Sequence, residues 1–481
     1  MAMDGMIARN ITIDGLSSAR AVQKPEITEI MDLVDATYRK AVDFIESHQH
    51  QNLVIARNVV VERMKDGRPQ YCCALCSTPV YLVATTEKRF FFRHRVEDGS
   101  CPAQTRHPLT EAQIRERKYH GLRESAPHKR IKELIERSLS ADLAYRAIAQ
   151  EKTWRSIHDP AAYRRPDVQA DSDQGMLAFE VQLSTTFLSV VVERRMFYRN
   201  EGALLIWIFG SFDPEYRRLM TDDVLFPNNS NLFVVDEETT AISEAKGAFH
   251  LRCHYRVPVR DGNMLADEWR EEIVPFSTLT QDRPAQRAYA FDYEGEETAL
   301  KERIRFETAQ AKAELERIDR ADFFEFWQEH GRGFKHTKEN RANWFQLRER
   351  IVRRGIALPE FPDNDAEIRA MLSAIYSVRE GRPIGWNYTK LVQVAHLLAE
   401  SHPRQLLAFG HAVKIYKRAE QITSEDTKGK WPLRMQPVSA AMRIYDPAYM
   451  PDTDLLPLMA FLFPEVAAKV QGYLQRQQLA A

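Results

Sequence analysis

The sequence predicts a multidomain α/β protein, α+β in overall layout, and three observations carry that prediction. Cysteines cluster among short β-patterned runs. Between residues 111 and 215 a helix, three strands, a helix and a strand follow one another, and the C-terminal part reads as mostly helical. At 481 residues the chain exceeds what one hydrophobic core organises, so two to four domains are expected. A composition of 44% hydrophobic and 28% charged residues excludes a disordered or fibrous chain. Lys plus Arg total 67 against 68 Asp plus Glu, so the net charge of -1 provides no global attraction to nucleic acid or anionic membrane; such a partner needs a local patch.

Residues 1–50 read as an N-terminal helical segment: "EITEIMDLVDATYRKAVDFIES" places Ile30, Leu33, Val34, Tyr38 and Val42 near the helical period. Residues 51–110 form a Cys/His module of short strands, "NVVVERM", "PVYLVAT" and "RFFFRHR". In the core, 111–215, "SAPHKRIKELIERSL" predicts a basic helix with Ile131, Leu134 and Ile135 on one side, Ser125 as N-cap and Pro127 in its first turn. "LAYRAIAQEKTW", "RRPDVQA" and "MLAFEVQLS" predict three strands. "TFLSVVVERRMFYRNEG" is a helix stopped by Gly202, and "ALLIWIFG" a buried strand. Residues 216–295 read as a β-rich extension and 296–481 as a helical C-terminal region that begins with a charged helix from about Glu296 to Arg320. No apolar run approaches the length of a membrane span and no leader pattern opens the chain, so a cytoplasmic protein without membrane contact is expected.

Four of the five cysteines fall within thirty residues, which in a leaderless chain points to metal rather than disulfides. Cys73 and Cys76 form a C-x2-C pair, followed by His94 and Cys101. Three thiolates and one imidazole make a closed tetrahedral set for structural Zn²⁺, a zinc-ribbon-like module. Cys72 is an alternative to Cys73, because C-x3-C spacing is also allowed.

The stretch "YRRPDVQADSDQGMLAFEVQLSTT" carries the second set. Asp167 on one strand and Glu180 on the next bring two carboxylates to one sheet edge, hard oxygen ligands suited to Mg²⁺ or Mn²⁺. Glu180 and Gln182, two apart, share a face. A divalent ion there polarises a scissile phosphate and activates a water. Two arbitrary acids are by default solvated strand residues, but an acid inside the apolar run "LAFEVQL" costs free energy unless paired or metal-bound. Glu124, at the start of the preceding helix, and Glu151, late in the first strand, are candidate extra acids.

C-x2-C, an aromatic run with a histidine before another cysteine, "ESAPHKRIKELI", "RRPDV" and "FEVQLS", in that order over residues 55 to 210, resemble the competence protein CoiA family of the PD-(D/E)XK nuclease superfamily. The resemblance implies a restriction-endonuclease-like core whose nuclease site is Asp167, Glu180 and Gln182, with Arg165, Glu124, His128 and Lys132 in support. Gln182 stands where that pattern usually has lysine, so position 182 supplies no positive charge. The family association is with processing and recombination of incoming DNA; the longer helical region of this chain also admits a role in defence against foreign DNA.

His128 and Lys132 lie one helical turn apart, and the basic helix bearing them and Lys129 is the candidate for positioning a DNA backbone. Residues 330–355 carry eight Lys or Arg against two Glu, with Phe334, Trp344 and Phe345 interspersed; a solvated helix with buried aromatics competes there with a nucleic-acid surface. Two functions follow: a Mg²⁺-dependent deoxyribonuclease, with the helical C-terminal region free to bind substrate or a protein partner, or a non-cleaving DNA-binding or adaptor protein on a nuclease-like scaffold.

Overall fold

The computed structural model describes residues 13–97, 101–105, 126–183 and 188–480, and divides into two compact units, Met1–Arg305 and Phe306–Ala481. In the first unit β1 (Arg20–Ala21), β2 (Glu29–Asp32), β3 (Thr37–Lys40), β4 (Tyr71–Cys73), β5 (Pro79–Ala84) and β6 (Arg89–His94) form a six-stranded sheet in the order β1-β6-β5-β4-β2-β3. Helices α1 (Ala41–Glu46) and α2 (His50–Lys65) join β3 to β4.

Two expectations fail in this sheet. Residues 26–47 are not one helix: β2 and β3 form a hairpin, turned by the Asp32 and Asp35 carboxylates accepting from the Val34 and Thr37 amides at 3.0 Å, with Ala36 at φ 58°. Pairing of Ile30 with Cys73 outweighs the apparent helical stripe, whose members Val34 and Tyr38 are 68% and 60% exposed. The described part of the 1–50 segment, from residue 13, therefore belongs with the Cys/His sheet. Conversely "NVVVERM" lies in α2. Leu53, Val54, Arg57, Val60, Val61 and Met64 are buried at helical spacing, and that longer period overrides the β-propensity of three consecutive valines.

The second sheet follows the predicted element order. Helix α3 (Ala126–Ser140) leads into β7 (Tyr145–Gln150); a short hairpin, β8 (Trp154–Arg155) and β9 (Tyr163–Arg164), then intervenes before β10 (Val168–Ser172) and β11 (Leu177–Gln182). Helix α4 (Leu188–Asn200), closed by Gly202 at φ 70°, crosses to β12 (Leu204–Phe209), parallel to β11. Residues 216–295 are no separate extension. After α5 (Leu219–Leu225), strand β13 (Asn231–Val234) pairs parallel with β12; α6 (Glu237–Lys246), β14 (His250–Asp261) and β15 (Met264–Pro275) then complete a seven-stranded sheet ordered β15-β14-β13-β12-β11-β10-β7. The apolar run of β13 is buried on both faces, as a strand inside a sheet requires. α3 packs on one face through Ile131, Leu134, Ile135 and Leu139 against Val168, Phe179 and Val181; Phe197 and Tyr198 of α4 cover Ala178 and Leu205 on the other. A small hairpin, β16 (Thr280–Asp282) and β17 (Arg287–Tyr289), precedes α7 (Tyr293–His330), which is longer than the charged helix expected.

The second unit is helical, as expected, around Trp327, Trp344, Met371, Ile375 and Phe463. In the basic stretch the packing reading holds for two of the three aromatics: Phe334 and Trp344 are buried, and Phe345 is 44% exposed. Arg350 pairs with Asp322 and Arg354 with Asp319, each at 2.6 Å, so part of the local charge excess is neutralised internally. Among the described residues no helix is long and apolar enough to cross a membrane.

A buried ionic hub joins the two sheets of the first unit. Asp222 of α5, fully buried, accepts from His50 of α2 at 3.1 Å, from Lys88 of the β5–β6 turn at 2.6 Å and from Arg217 at 3.1 Å. Burial works against this carboxylate, but its three partners bring it down to about 2. Asp222→Ala leaves buried cations without their anion and is expected to cost about 3–5 kcal/mol in urea unfolding. Because the folded value is depressed, the wild-type contribution is complete above the unfolded carboxylate pKa of about 4 and is lost as pH falls through about 2. Asp222→Asn lacks that acid-dependent loss.

Candidate metal centre and carboxylate site

The metal centre is built by strand ends. Cys73 closes β4, and the turn that follows, with Ser77 at φ 58° and its amide on the Cys73 carbonyl at 2.9 Å, carries Cys76 back beside it. His94 closes β6, and Cys101 is buried in the segment 101–105. One ligand atom from each of the four lies within 4.8 Å of the others, and Cys76 Sγ is 3.3 Å from His94 Nε2. His94 Nδ1 faces Glu97 at 3.4 Å, the kind of outer contact that fixes an imidazole for metal binding. Glu97 also accepts from the Thr105 amide at 2.5 Å, tying the Cys101 segment to the sheet. Burial opposes the Cys76 thiolate, yet hydrogen bonds from Thr78, Cys101 and Cys73 lower the thiol to about 7, while burial pushes Cys101 up to about 11. This Cys3His set can bind a metal such as zinc in a closed tetrahedral site. Cys72, adjacent to Cys73 on β4, is buried outside the cluster because successive strand residues point to opposite faces, so the C-x3-C alternative is not realised.

The second site lies where β10 and β11 meet α3 and α4. Val168 pairs with Phe179, so Asp167 and Glu180 are the next opposed positions. Asp167 Oδ2 accepts from the Val181 amide at 2.7 Å, and Oδ1 lies 3.1 Å from His128 Nε2 on α3. Burial raises the Asp167 carboxyl, but His128 and the Val181 amide hold it below the usual range. Glu180 is 2% exposed and turns to the α4 face, where Arg194 forms an ion pair with it and the Tyr198 hydroxyl donates at 3.1 Å. Burial dominates: it pushes Glu180 up to about 8, with Arg194 opposing and the charge of Asp167 adding to the rise. Gln182 is buried on the same face of the strand.

Around these acids the chain gathers other residues singled out in the sequence. Lys132, 2% exposed on α3, donates to Glu151 at 2.6 Å, and that contact is the main cause lowering the Glu151 carboxyl. The Glu151 amide bonds the Asp167 carbonyl at 3.2 Å, and Arg165 Nε donates to the Glu151 carbonyl at 3.1 Å. Glu151 is thus tied to cations, and among the described residues the three acids do not make a group of three ligand atoms within common reach. Lys129 is exposed on α3. Glu124 lies outside the described residues.

Sequence reasoning missed Arg194 and Tyr198. Their signal was present: they are four apart on the helix after the "FEVQ" strand, and a buried glutamate demands such partners. It also missed Glu62 of α2, which takes Arg195 at 2.8 Å and Arg199 at 2.5 Å and so clamps α4 to the Cys/His module, beside a Lys65–Glu193 pair at 2.6 Å.

The expected zinc content is one ion per chain by elemental analysis of the purified protein. Cys76→Ser or Cys101→Ser should lose most of it and Cys72→Ser should retain it; retained zinc in the first two variants, or loss in the third, would overturn the ligand set.

Neither the curated proteins nor the solved structures contain a match to this chain. Two family models do match: a domain of unknown function, DUF7830, over residues 37–108, which holds all four Cys/His ligands, and a second domain of unknown function, DUF6035, over residues 111–294, which encloses all seven strands of the second sheet.

Proposed function

We propose that this protein is a metal-dependent nuclease that hydrolyses phosphodiester bonds in DNA, with a CoiA-like, PD-(D/E)XK-type site at Asp167 and Glu180. One observation carries the reading: Asp167, just before β10, and Glu180 on the adjacent antiparallel β11 flank the Val168–Phe179 pair, and Glu180 is a buried carboxylate whose pKa is raised chiefly by that burial. The order helix, three strands, helix, strand, with the fourth strand parallel to the third, supports it.

Carboxylate oxygens are the donor type that a hard divalent ion takes. Asp167 and Glu180 would hold Mg²⁺ or Mn²⁺, which supplies phosphate polarisation and an activated water. The surrounding residues have distinct tasks. His128 and the Val181 amide fix the Asp167 carboxylate, Lys132 and Arg165 hold Glu151, and Arg194 supplies the positive charge at Glu180 that Gln182 cannot. A second reading, a DNA-binding protein that does not cleave, draws support from the same contact, because Arg194 and Tyr198 already satisfy the buried carboxylate and a cation at Glu180 has to compete with the guanidinium.

Cleavage of labelled single-stranded, duplex and branched DNA with Mg²⁺, Mn²⁺ or chelator separates the two. The nuclease reading expects metal-dependent cutting that disappears in Asp167→Ala and Glu180→Ala while DNA retention persists. Retention without cutting under either metal, indifferent to both substitutions, would replace it with the second reading.

A further inference from the structure

The hairpin of β8 and β9 is inserted between β7 and β10 and delivers the chain directly into Asp167. Its two faces differ. The inner face packs on α4: Trp154 meets Tyr198 edge-on at 5.6 Å, and Arg164 lies over Phe197 at 5.4 Å. Its loop is fastened to the end of the same helix, since the Ser156 hydroxyl and the Ile157 amide donate to Glu201 at 2.5 and 3.0 Å and His158 Nε2 is 3.1 Å from the Asn200 carbonyl.

The outer face carries Arg155 and Tyr163 as direct cross-strand partners, with Arg165 two residues on. Tyr163 is 54% exposed, and Arg155 and Arg165 on the same face are exposed, as is Lys152 just before β8. Arg155 makes no ion pair among the described residues, whereas Arg165 is engaged with Glu151 through its Nε on the Glu151 carbonyl at 3.1 Å and a guanidinium–carboxylate approach of 3.6 Å. Residues 152–165 contain four Lys or Arg against one acid, a local excess in a chain of net charge -1.

We propose that this outer face is a docking surface for single-stranded DNA, with Tyr163 stacking on an unpaired base and Arg155 and Arg165 contacting the flanking phosphates. The proposal deepens the nuclease reading, on which its position beside Asp167 rests, by naming the strandedness of the substrate. Charge complementarity selects a polyanion. The aromatic ring selects an unpaired strand, because a duplex keeps its base faces stacked inside and offers only edges and phosphates. Anchorage of the inner face to α4 presents the ring and guanidinium in a fixed relation, which lowers the ordering cost of binding.

The test is fluorescence anisotropy of a labelled DNA strand of about 20 nucleotides, and of the matching duplex, with the full chain in an Asp167→Ala background so that the probe stays intact. Single strand should bind more tightly than duplex. Tyr163→Ala should weaken single-strand binding about tenfold, with Tyr163→Phe close to the parent. Arg155→Ala should weaken binding and make the log K against log salt slope shallower by about 0.7. Equal affinity for strand and duplex, or a Tyr163→Ala variant that binds unchanged, overturns the proposal. Cleavage by the chain with Asp167 intact is scored separately. Cutting that ignores Tyr163→Ala removes the arm and leaves the nuclease; Tyr163-dependent binding with no cutting removes the nuclease and leaves the arm.

Discussion

Burial of the Glu180 carboxylate is the constraint around which this part of the molecule is organised. A carboxylate 2% exposed, in a strand whose neighbours Phe179 and Val181 face an apolar core, is costly to ionise. The fold answers with Arg194 and Tyr198, one turn apart on α4, so that helix cannot rotate without breaking the compensation. Asp167 is held differently, through the Val181 amide and His128, and stays ionised where Glu180 is pushed up to about 8. Two acids on neighbouring strand positions thus have their pKa values drawn apart by their surroundings, a pattern that functional sites share with structural ion-pair networks.

Helix α4 is in turn held from its far side. Arg195 and Arg199, again one turn apart, grip Glu62 of the Cys/His module, while Arg194, the residue before them, reaches the sheet. The same α2 starts with His50, bonded to Asp222, and packs against the sheet that carries the cysteines. Charges with this little exposure contribute more to a defined geometry than to net stability, because desolvation offsets much of their attraction. The geometry they define is continuous from the Cys3His centre through α2 and α4 to Glu180. A metal that orders the strand ends at Cys73 and His94 therefore supports the same framework that positions the carboxylate.

Much of this was legible in the sequence where one period or one chemistry dominated. The nearly continuous apolar run of "LAFEVQL", the Gly202 stop and the C-x2-C spacing each depend on a few neighbouring residues, and each placed its element or ligand. The readings that failed depend on distant partners. The hairpin at Glu29–Lys40 exists because Ile30 pairs with Cys73, forty-three positions away, and nothing local distinguishes its apolar spacing from a helix. "NVVVERM" is helical because α2 as a whole has a buried stripe, which a short valine-rich window conceals. Strands β13 to β15 were read correctly as strands, but not as members of the same sheet, since sheet membership is a property of pairing and not of composition.

The partners of the candidate acids escaped notice for a related reason. A helix sequence such as "ERRMFYR" reads as amphipathic and solvated when its cations are counted as surface charge. Placed between a buried glutamate on the sheet and a half-buried glutamate on α2, the three arginines become counter-ions with fixed assignments. Net charge conceals this, because a chain with 67 cations and 68 acids can neutralise them in pairs or hold them apart in patches, and only the fold decides which. Here α4 uses its cations inward, while the β8–β9 hairpin resting on it keeps Arg155 outward beside an exposed tyrosine. The asymmetry leaves Arg155 as an outward cation on the hairpin that leads into Asp167, the kind of charge a polyanion would meet if the proposed site acts on one.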